Sequence, residues 1–151
     1  MEPHNYNVVI NWNQDRKGVM CSPELNKDSN KCIEIATPPE FPKGIPGIWS
    51  PEHLFTASVS SCLMTTFLAI AENFKLEFVD FSCSAKGTLE QVDGKLLMTT
   101  ILLEPTVVVK DDKHRALAEK VLQKSEKVCL ITNSIKTEVI MKSNIRVAEV
   151  V

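Results

Sequence analysis

Charge of either sign is not in excess in this sequence: 17 Lys and Arg stand against 19 Asp and Glu, a net of −2. Neither nucleic acid nor an anionic membrane is therefore an expected partner. There is no low-complexity tract, no internal repeat, and no basic stretch followed by an apolar core in the opening MEPHNYNVVINW. A secretory signal is not expected, and the cytoplasm is the expected compartment. The five cysteines (Cys21, Cys32, Cys62, Cys83 and Cys129) are odd in number and include no CxxC pair. That argues against a disulfide framework and a zinc ribbon, so Cys21, Cys32 and Cys83 are expected to pack as small hydrophobes. His4, His53 and His114 lie too far apart to form an HxH or HxxxH pair, and neither a metal nor another cofactor is expected.

A chain of 151 residues suits one domain spanning 1–151. YNVVINW places Tyr6, Val8, Ile10 and Trp12 on one side of a strand, NQDRKG reads as a polar turn, and VMC and KCIEIA read as further short strands. Residues 37–51, TPPEFPKGIPGIWSP, hold five of the eight prolines and exclude regular structure. This loop ends at a helix start. Ser50 suits the N-cap, Pro51 the first helical position, and Glu52 the positive end of the helix dipole.

The helix is predicted to run to about Phe74. Its eighteen residues from Leu54 to Ala71 carry no charge, yet six are Ser or Thr and one is Cys62. The hydroxyls and the lack of a basic flank weigh against a membrane span, leaving a buried helix covered on all sides by sheet. In FVDFSCSAKGTLE, apolar Val79, Phe81, Cys83, Ala85 and Leu89 alternate with polar residues as in a half-buried strand. VDG turns the chain into KLLMTTILLEPTVVVK, a long strand expected to be buried on both faces at its centre. DDKHRALAEKVLQKSEKVC is an amphipathic helix with Leu117, Val121 and Val128 on one face and Cys129 at its C-terminal limit. The closing segment places Thr137, Val139, Met141, Ile145 and Val147 on one strand face. The fold class is α+β: a long buried central helix wrapped by largely antiparallel sheet.

Cys62 shares a helix face with Phe55, Ser58, Val59, Thr66 and Ala69. By position alone it is a packing residue or a nucleophile. Cys129, at a helix end, is expected to be the more exposed and mobile thiol. Spacing does not decide whether the two meet.

SPEHLFTASVSSCLMTTFLAIAE resembles the signature of the OsmC/Ohr family, in which Pro-Glu opens a central helix about ten residues before a peroxidatic cysteine. SEKVCLITNSI is similar to that family's second-cysteine segment. The resemblance implies an intertwined homodimer and a thiol peroxidase that reduces organic hydroperoxides and is recycled by an external dithiol. Cys62 would be the peroxidatic thiol, Cys129 the resolving one, and Glu52 the carboxylate that holds an arginine, matched here by Arg16. Phe55, Phe67 and Trp49 would surround the organic tail. The sequence departs from the pattern at Leu130, where Pro is common, and at the arginine turn, QDRKG.

A thiol of pKa ~8.5 is only about 3 % thiolate at pH 7, and lowering that pKa by two units takes about 2.7 kcal/mol. A guanidinium ~4 Å away at an effective dielectric of ~20 supplies about 4 kcal/mol, so the resemblance requires Arg16 or a substitute for it. Two other readings stay open. A hot-dog-type acyl thioesterase also wraps a long helix in sheet and would use Glu52 as base. A non-catalytic dimer would bind an apolar ligand, or sense peroxide through a single oxidation of Cys62.

Overall fold

The computed structural model describes residues 1–25 and 31–149. They form two compact units, Met1–Leu54 and Phe55–Val151.

In the N-terminal unit, β1 (Val9–Gln14), β2 (Lys17–Cys21) and β3 (Ile33–Ala36) make an antiparallel meander in the order β1-β2-β3. Tyr6 and Val8 precede the first strand, all of whose side chains are exposed. The β1–β2 turn has Asp15 at φ 47, and the Trp12 indole N–H donates to the Asp15 carbonyl at 3.0 Å. Met20 lies opposite Ile33, which brings Cys21 and Cys32 face to face just beyond the last pair. They are joined as a disulfide, with Cα atoms 4.4 Å apart, the spacing of a non-hydrogen-bonded antiparallel pair. The expectation that both pack as free thiols is thus corrected, and strand register is the reason.

The proline-rich loop folds on itself through N–H bonds from Phe41 to Pro38, Gly44 to Phe41 and Ile45 to Thr37. At its end Ser50 caps α1 (Pro51–Asn73). The Ser50 hydroxyl accepts from the His53 N–H at 3.2 Å, and the Ser50 N–H donates to His53 Nδ1 at 3.3 Å. This is a capping box with histidine in the place usually held by Glu.

In the C-terminal unit, β4 (Asp80–Val92) and β5 (Lys95–Val109) form a long antiparallel hairpin. Its turn has Asp93 and Gly94 both at positive φ, as a two-residue Asp-Gly loop requires. Phe81, Cys83 and Ala85 face inward, while Leu89, just past a bulge that leaves Thr99 of β5 unpaired, and Val79 before the strand are exposed. β5 buries Ile101, Leu103, Pro105, Val107 and Val109 on one face only, which corrects the expectation of a strand buried on both. β6 (Glu138–Met141) and β7 (Asn144–Val147) run parallel to β5 on its other edge, so the sheet is mixed. The β7 pairs resume the register of β6, and the interruption at Lys142–Ser143 falls where Pro105 has no N–H to give.

The stripe of α1 that carries Val59, Leu63, Phe67, Ile70 and Ala71 packs on this sheet, while Ser61, Met64, Thr65 and Leu68 are exposed in the single chain. Its hydroxyls bond to its own carbonyls: Ser58 to Phe55, Ser60 and Ser61 to Ala57, Thr65 to Cys62. That internal bonding lets so many hydroxyls sit in an apolar helix. α1 is the one helix among the described residues long and apolar enough to cross a membrane by length and composition. α2 (Arg115–Val128) buries Ala118, Val121, Leu122 and Ser125. Val128, expected on that face, is exposed because the buried stripe follows i, i+3, i+4, i+7 from Ala118.

Candidate functional site

Two of the residues singled out above meet. Cys62, midway along α1, and Cys129, the C-cap of α2, form a side-chain hydrogen bond in the C-terminal unit. α2 ends here because Cys129 turns to φ −62, ψ 113, out of helical geometry. The turn is closed by the Asn133 N–H on the Cys129 carbonyl at 3.1 Å and the Ser134 N–H on the Ile131 carbonyl at 3.0 Å. Both thiols are buried, Cys62 at 8 % and Cys129 at 1 % of full exposure. The helix end therefore does not expose Cys129: Ile131 and Ile135 after it pack against Val59, Leu63, Ile101 and Leu103 and hold the turn down.

The two thiols have opposite acidities. Burial pushes the Cys62 thiol up, but bonds from Cys129, from the backbone of Ile131, from Thr66 and from the backbone of Leu130 outweigh it and hold Cys62 below the usual thiol value. The Thr66 hydroxyl lies 3.9 Å from Cys62 Sγ, one helical turn on. Cys129 is raised by burial and by its bond to Cys62, with the Thr132 side chain and backbone acting weakly the other way. Cys62 is thus the acceptor and Cys129 keeps its proton. Cys83, half-buried on β4, is raised by burial and is inert by comparison.

Within the C-terminal unit, hydrogen bonds favour the ionisation of Cys62. Thr66 was legible as a same-face neighbour of Cys62. The donors on Leu130 and Ile131 were missed, because backbone N–H groups leave no mark in a sequence.

Arg16 and Glu52 lie together in the N-terminal unit, where they line a cleft of about 910 Å³ with Trp12, Lys17, Ile35 and Phe41. Arg16 stands in the β1–β2 turn, its carbonyl held by the Thr37 N–H at 3.1 Å. Lys17 pairs with Glu34 at 3.6 Å. Trp49 is exposed, edge-on to His53 with ring centroids 6.0 Å apart. Phe67 is wholly buried between Phe78 and Phe81, a core residue, whereas Phe55 packs at the margin of the core beside Val59. No group of three or more His, Cys, Asp or Glu side chains suited to a metal ion occurs among the described residues.

The sequence pattern of the family described as OsmC-like protein matches residues 44–144, the segment that carries both thiols. The chain belongs to the OsmC-like family. Other similarities agree with this OsmC-like assignment. The chain is 26 % identical over 142 residues to the uncharacterized protein YmaD of Bacillus subtilis, covering 92 % of this chain and 91 % of YmaD. Among solved structures it is similar to an OsmC-like protein of Vibrio cholerae, at 23 % identity and a TM-score of 0.79 over 93 % of this chain and 99 % of the other. It is also similar to an organic hydroperoxide resistance protein of Elizabethkingia anophelis, at 16 % identity and a TM-score of 0.72 over 97 % and 99 %. At these identities the solved structures establish the α+β fold, and the matched family pattern establishes membership.

Proposed function

We propose that this OsmC-like protein is a cysteine-based thiol peroxidase, a cytoplasmic homodimer that reduces organic hydroperoxides to alcohols. The observation that carries the reading is the hydrogen-bonded Cys62–Cys129 pair, with Cys62 the more acidic thiol and the proton on its neighbour. The Cys62 thiolate attacks the distal oxygen of ROOH. The O–O bond breaks, the alkoxide takes a proton and leaves as ROH, and Cys62 becomes a sulfenic acid. The Cys129 thiol then displaces the sulfenic hydroxyl, which leaves as water with the Cys129 proton, and the Cys62–Cys129 disulfide forms. An external dithiol returns both thiols by exchange and is itself oxidised to a disulfide.

The retained proton on Cys129 has a chemical use. It keeps the resolving thiol from competing as nucleophile until the sulfenic acid, a far better electrophile, stands beside it. Arg16 and Glu52 are the proposed charged pair, as the family resemblance assigns them, and Phe55 and Trp49 the proposed apolar surroundings of the substrate; Phe67, offered with them, is packed in the core.

The test is one equivalent of an organic hydroperoxide added to protein with Cys62, Cys83 and Cys129 reduced, followed by thiol counting and non-reducing peptide mapping. Loss of two thiols with a Cys62–Cys129 linked peptide is the expected result. Unchanged thiols would sink the reading and direct attention to acyl-thioester hydrolysis. Arg16→Ala and Glu52→Gln, assayed in the same way, measure what the pair adds to the rate.

A further inference from the structure

The Cys21–Cys32 bridge closes one end of a short ladder in the N-terminal unit. Four residue pairs join β2 to β3, from Lys17 opposite Ala36 to Met20 opposite Ile33, and the bridge lies just beyond the last of them. Cys32 is exposed and Cys21 half-buried, and neither is part of the buried core. An incoming thiol can reach the Cys32 side of the bridge without displacing packed side chains. The chain holds two dithiol pairs, one closed at Cys21 and Cys32 and one open at Cys62 and Cys129.

The two strands that the bridge joins are held unequally. β2 is kept in place without it: Val9 to Trp12 of β1 pair along its other edge. Beyond its end the Glu24 carboxylate accepts from the Ser22 hydroxyl at 2.7 Å and from the Asn7 N–H and side-chain amide at 2.8 and 2.9 Å, which ties it to the residues before β1. β3 is secured chiefly at its far end, where the Thr37 N–H donates to the Arg16 carbonyl at 3.1 Å and the Ala36 N–H to the Trp49 carbonyl at 2.9 Å. At its near end Ile33 and Glu34 have the ladder to β2, the solvent-facing Lys17–Glu34 ion pair at 3.6 Å, and the bridge. An exposed ion pair holds little, so the bridge is the main tie there.

We propose that Cys21–Cys32 is a second redox-active site of this protein, a surface disulfide that exchanges with dithiols in the folded state and, once open, frees the Cys32 end of β3. The thiolate of a dithiol attacks Cys32 Sγ, the bridge breaks, and Cys21 leaves as a thiolate. The second thiol of the reductant then displaces Cys32 from the mixed disulfide. The reductant departs as a disulfide, and its two electrons and two protons end on Cys21 and Cys32. Exposed bridges are the labile kind, because attack requires access to a sulfur. Ile35 and Ala36 of the same strand line the cleft that holds Arg16 and Glu52, so the order of β3 bears on that cleft. The inference goes beyond the peroxidase reading and does not rest on it.

The measurement is the rate at which dithiothreitol opens the bridge in the full-length protein, followed by quenched alkylation and peptide mapping in urea below the unfolding transition. Direct exchange is expected to be proportional to dithiol and flat in urea. A bridge reached only through unfolding would instead open on the order of tenfold faster per molar urea. Hydrogen exchange then compares closed and open protein. The Ile33 amide is expected to exchange at least about tenfold faster once the bridge is open, with the β1–β2 and β4–β5 amides unchanged. Cys32→Ser should reproduce that pattern without reductant. A rate that climbs with urea, general loss of protection on opening, an Ile33 amide indifferent to the bridge, or free Cys21 and Cys32 in protein prepared without reductant would each overturn the proposal.

Discussion

Gly87 on β4 lies against Thr56 of α1, and a single methyl group there tests how that contact positions the thiol helix. A Cβ built on Gly87 would lie 2.2 Å from Thr56 Oγ1 and 2.8 Å from Met98 Cε, with Thr56 Cβ at 3.4 Å. Met98 is the end of a flexible chain and can yield. Thr56 Oγ1 is bound to a branched carbon on a helix, so relief to an ordinary 3.4 Å contact takes a displacement of about 1 Å in α1 or β4. Overpacking of this kind costs about 1–3 kcal/mol, and the strand preference of Ala over Gly returns roughly 0.5–1 kcal/mol. Gly87→Ala is therefore expected to lose about 1–2 kcal/mol in urea unfolding, seen as a lower midpoint at an unchanged slope. Cys62 lies six residues beyond Thr56, about 9 Å along the helix, so its alkylation rate should change as well. In the Thr56→Ala background the nearest atom left from residue 56 is Cβ at 3.4 Å, and the same glycine substitution should cost little or nothing. Simple additivity of the two substitutions, or a fully stable Gly87→Ala, would rule out the Gly87–Thr56 contact as the cause.

Three further outcomes are expected. Before reduction the protein should titrate three thiols, Cys62, Cys83 and Cys129, and opening the Cys21–Cys32 bridge, with its sequence separation of 11, should cost about 3 kcal/mol of stability in thermal unfolding. Ser50→Ala removes the oxygen that accepts from the His53 N–H and should lower the unfolding free energy by about 1–2 kcal/mol. Burial pushes the Glu126 carboxyl up, opposed in part by Lys127, so the native state prefers it protonated and stability falls as pH rises from about 4.5 through the folded value. Glu126→Gln should match wild type near pH 4 and exceed it by a few tenths of a kcal/mol at pH 7, which pH-dependent unfolding checks.

Local features were legible in the sequence because their causes are local. Ser50, Pro51 and Glu52 start α1 as caps and first-turn residues do, Asp93 and Gly94 turn the hairpin, and Cys129 ends α2. Features that depend on pairing were not. The Cys21–Cys32 bridge follows from which β2 residue faces which β3 residue, and the bulge at Thr99 of β5 from how the hairpin strands pair. The parallel course of β6 and β7 is set by α2 carrying the chain back across the sheet. At the candidate site the thiols themselves could be named from their motifs, and Thr66 from its helix face. Cys129 was misjudged as exposed because the burial comes from Ile131 and Ile135, which look like loop residues until the turn folds under the core.

The break that Pro105 makes opposite Ser143 also bears on the order of assembly. The β4–β5 hairpin closes through a two-residue turn, so its ladder can zip from Val92–Lys95 onward with little loop entropy to overcome. The opposite edge must wait: Thr100 finds Glu138 only after α2 has folded, and the proline divides that edge into two short ladders whose junction keeps the Lys142 N–H bond to the Leu103 carbonyl at 2.8 Å but lacks the one Pro105 cannot give. Native-state hydrogen exchange should accordingly open β6 and β7 at a lower free energy than β4 and the hairpin side of β5. Cys129 sits in the connection that leads into this last-formed edge, while Cys62 belongs to a helix packed on the early hairpin. The thiol pair thus comes into being only when the chain has closed, and a nascent or partly opened molecule carries two unpaired cysteines in place of a redox couple.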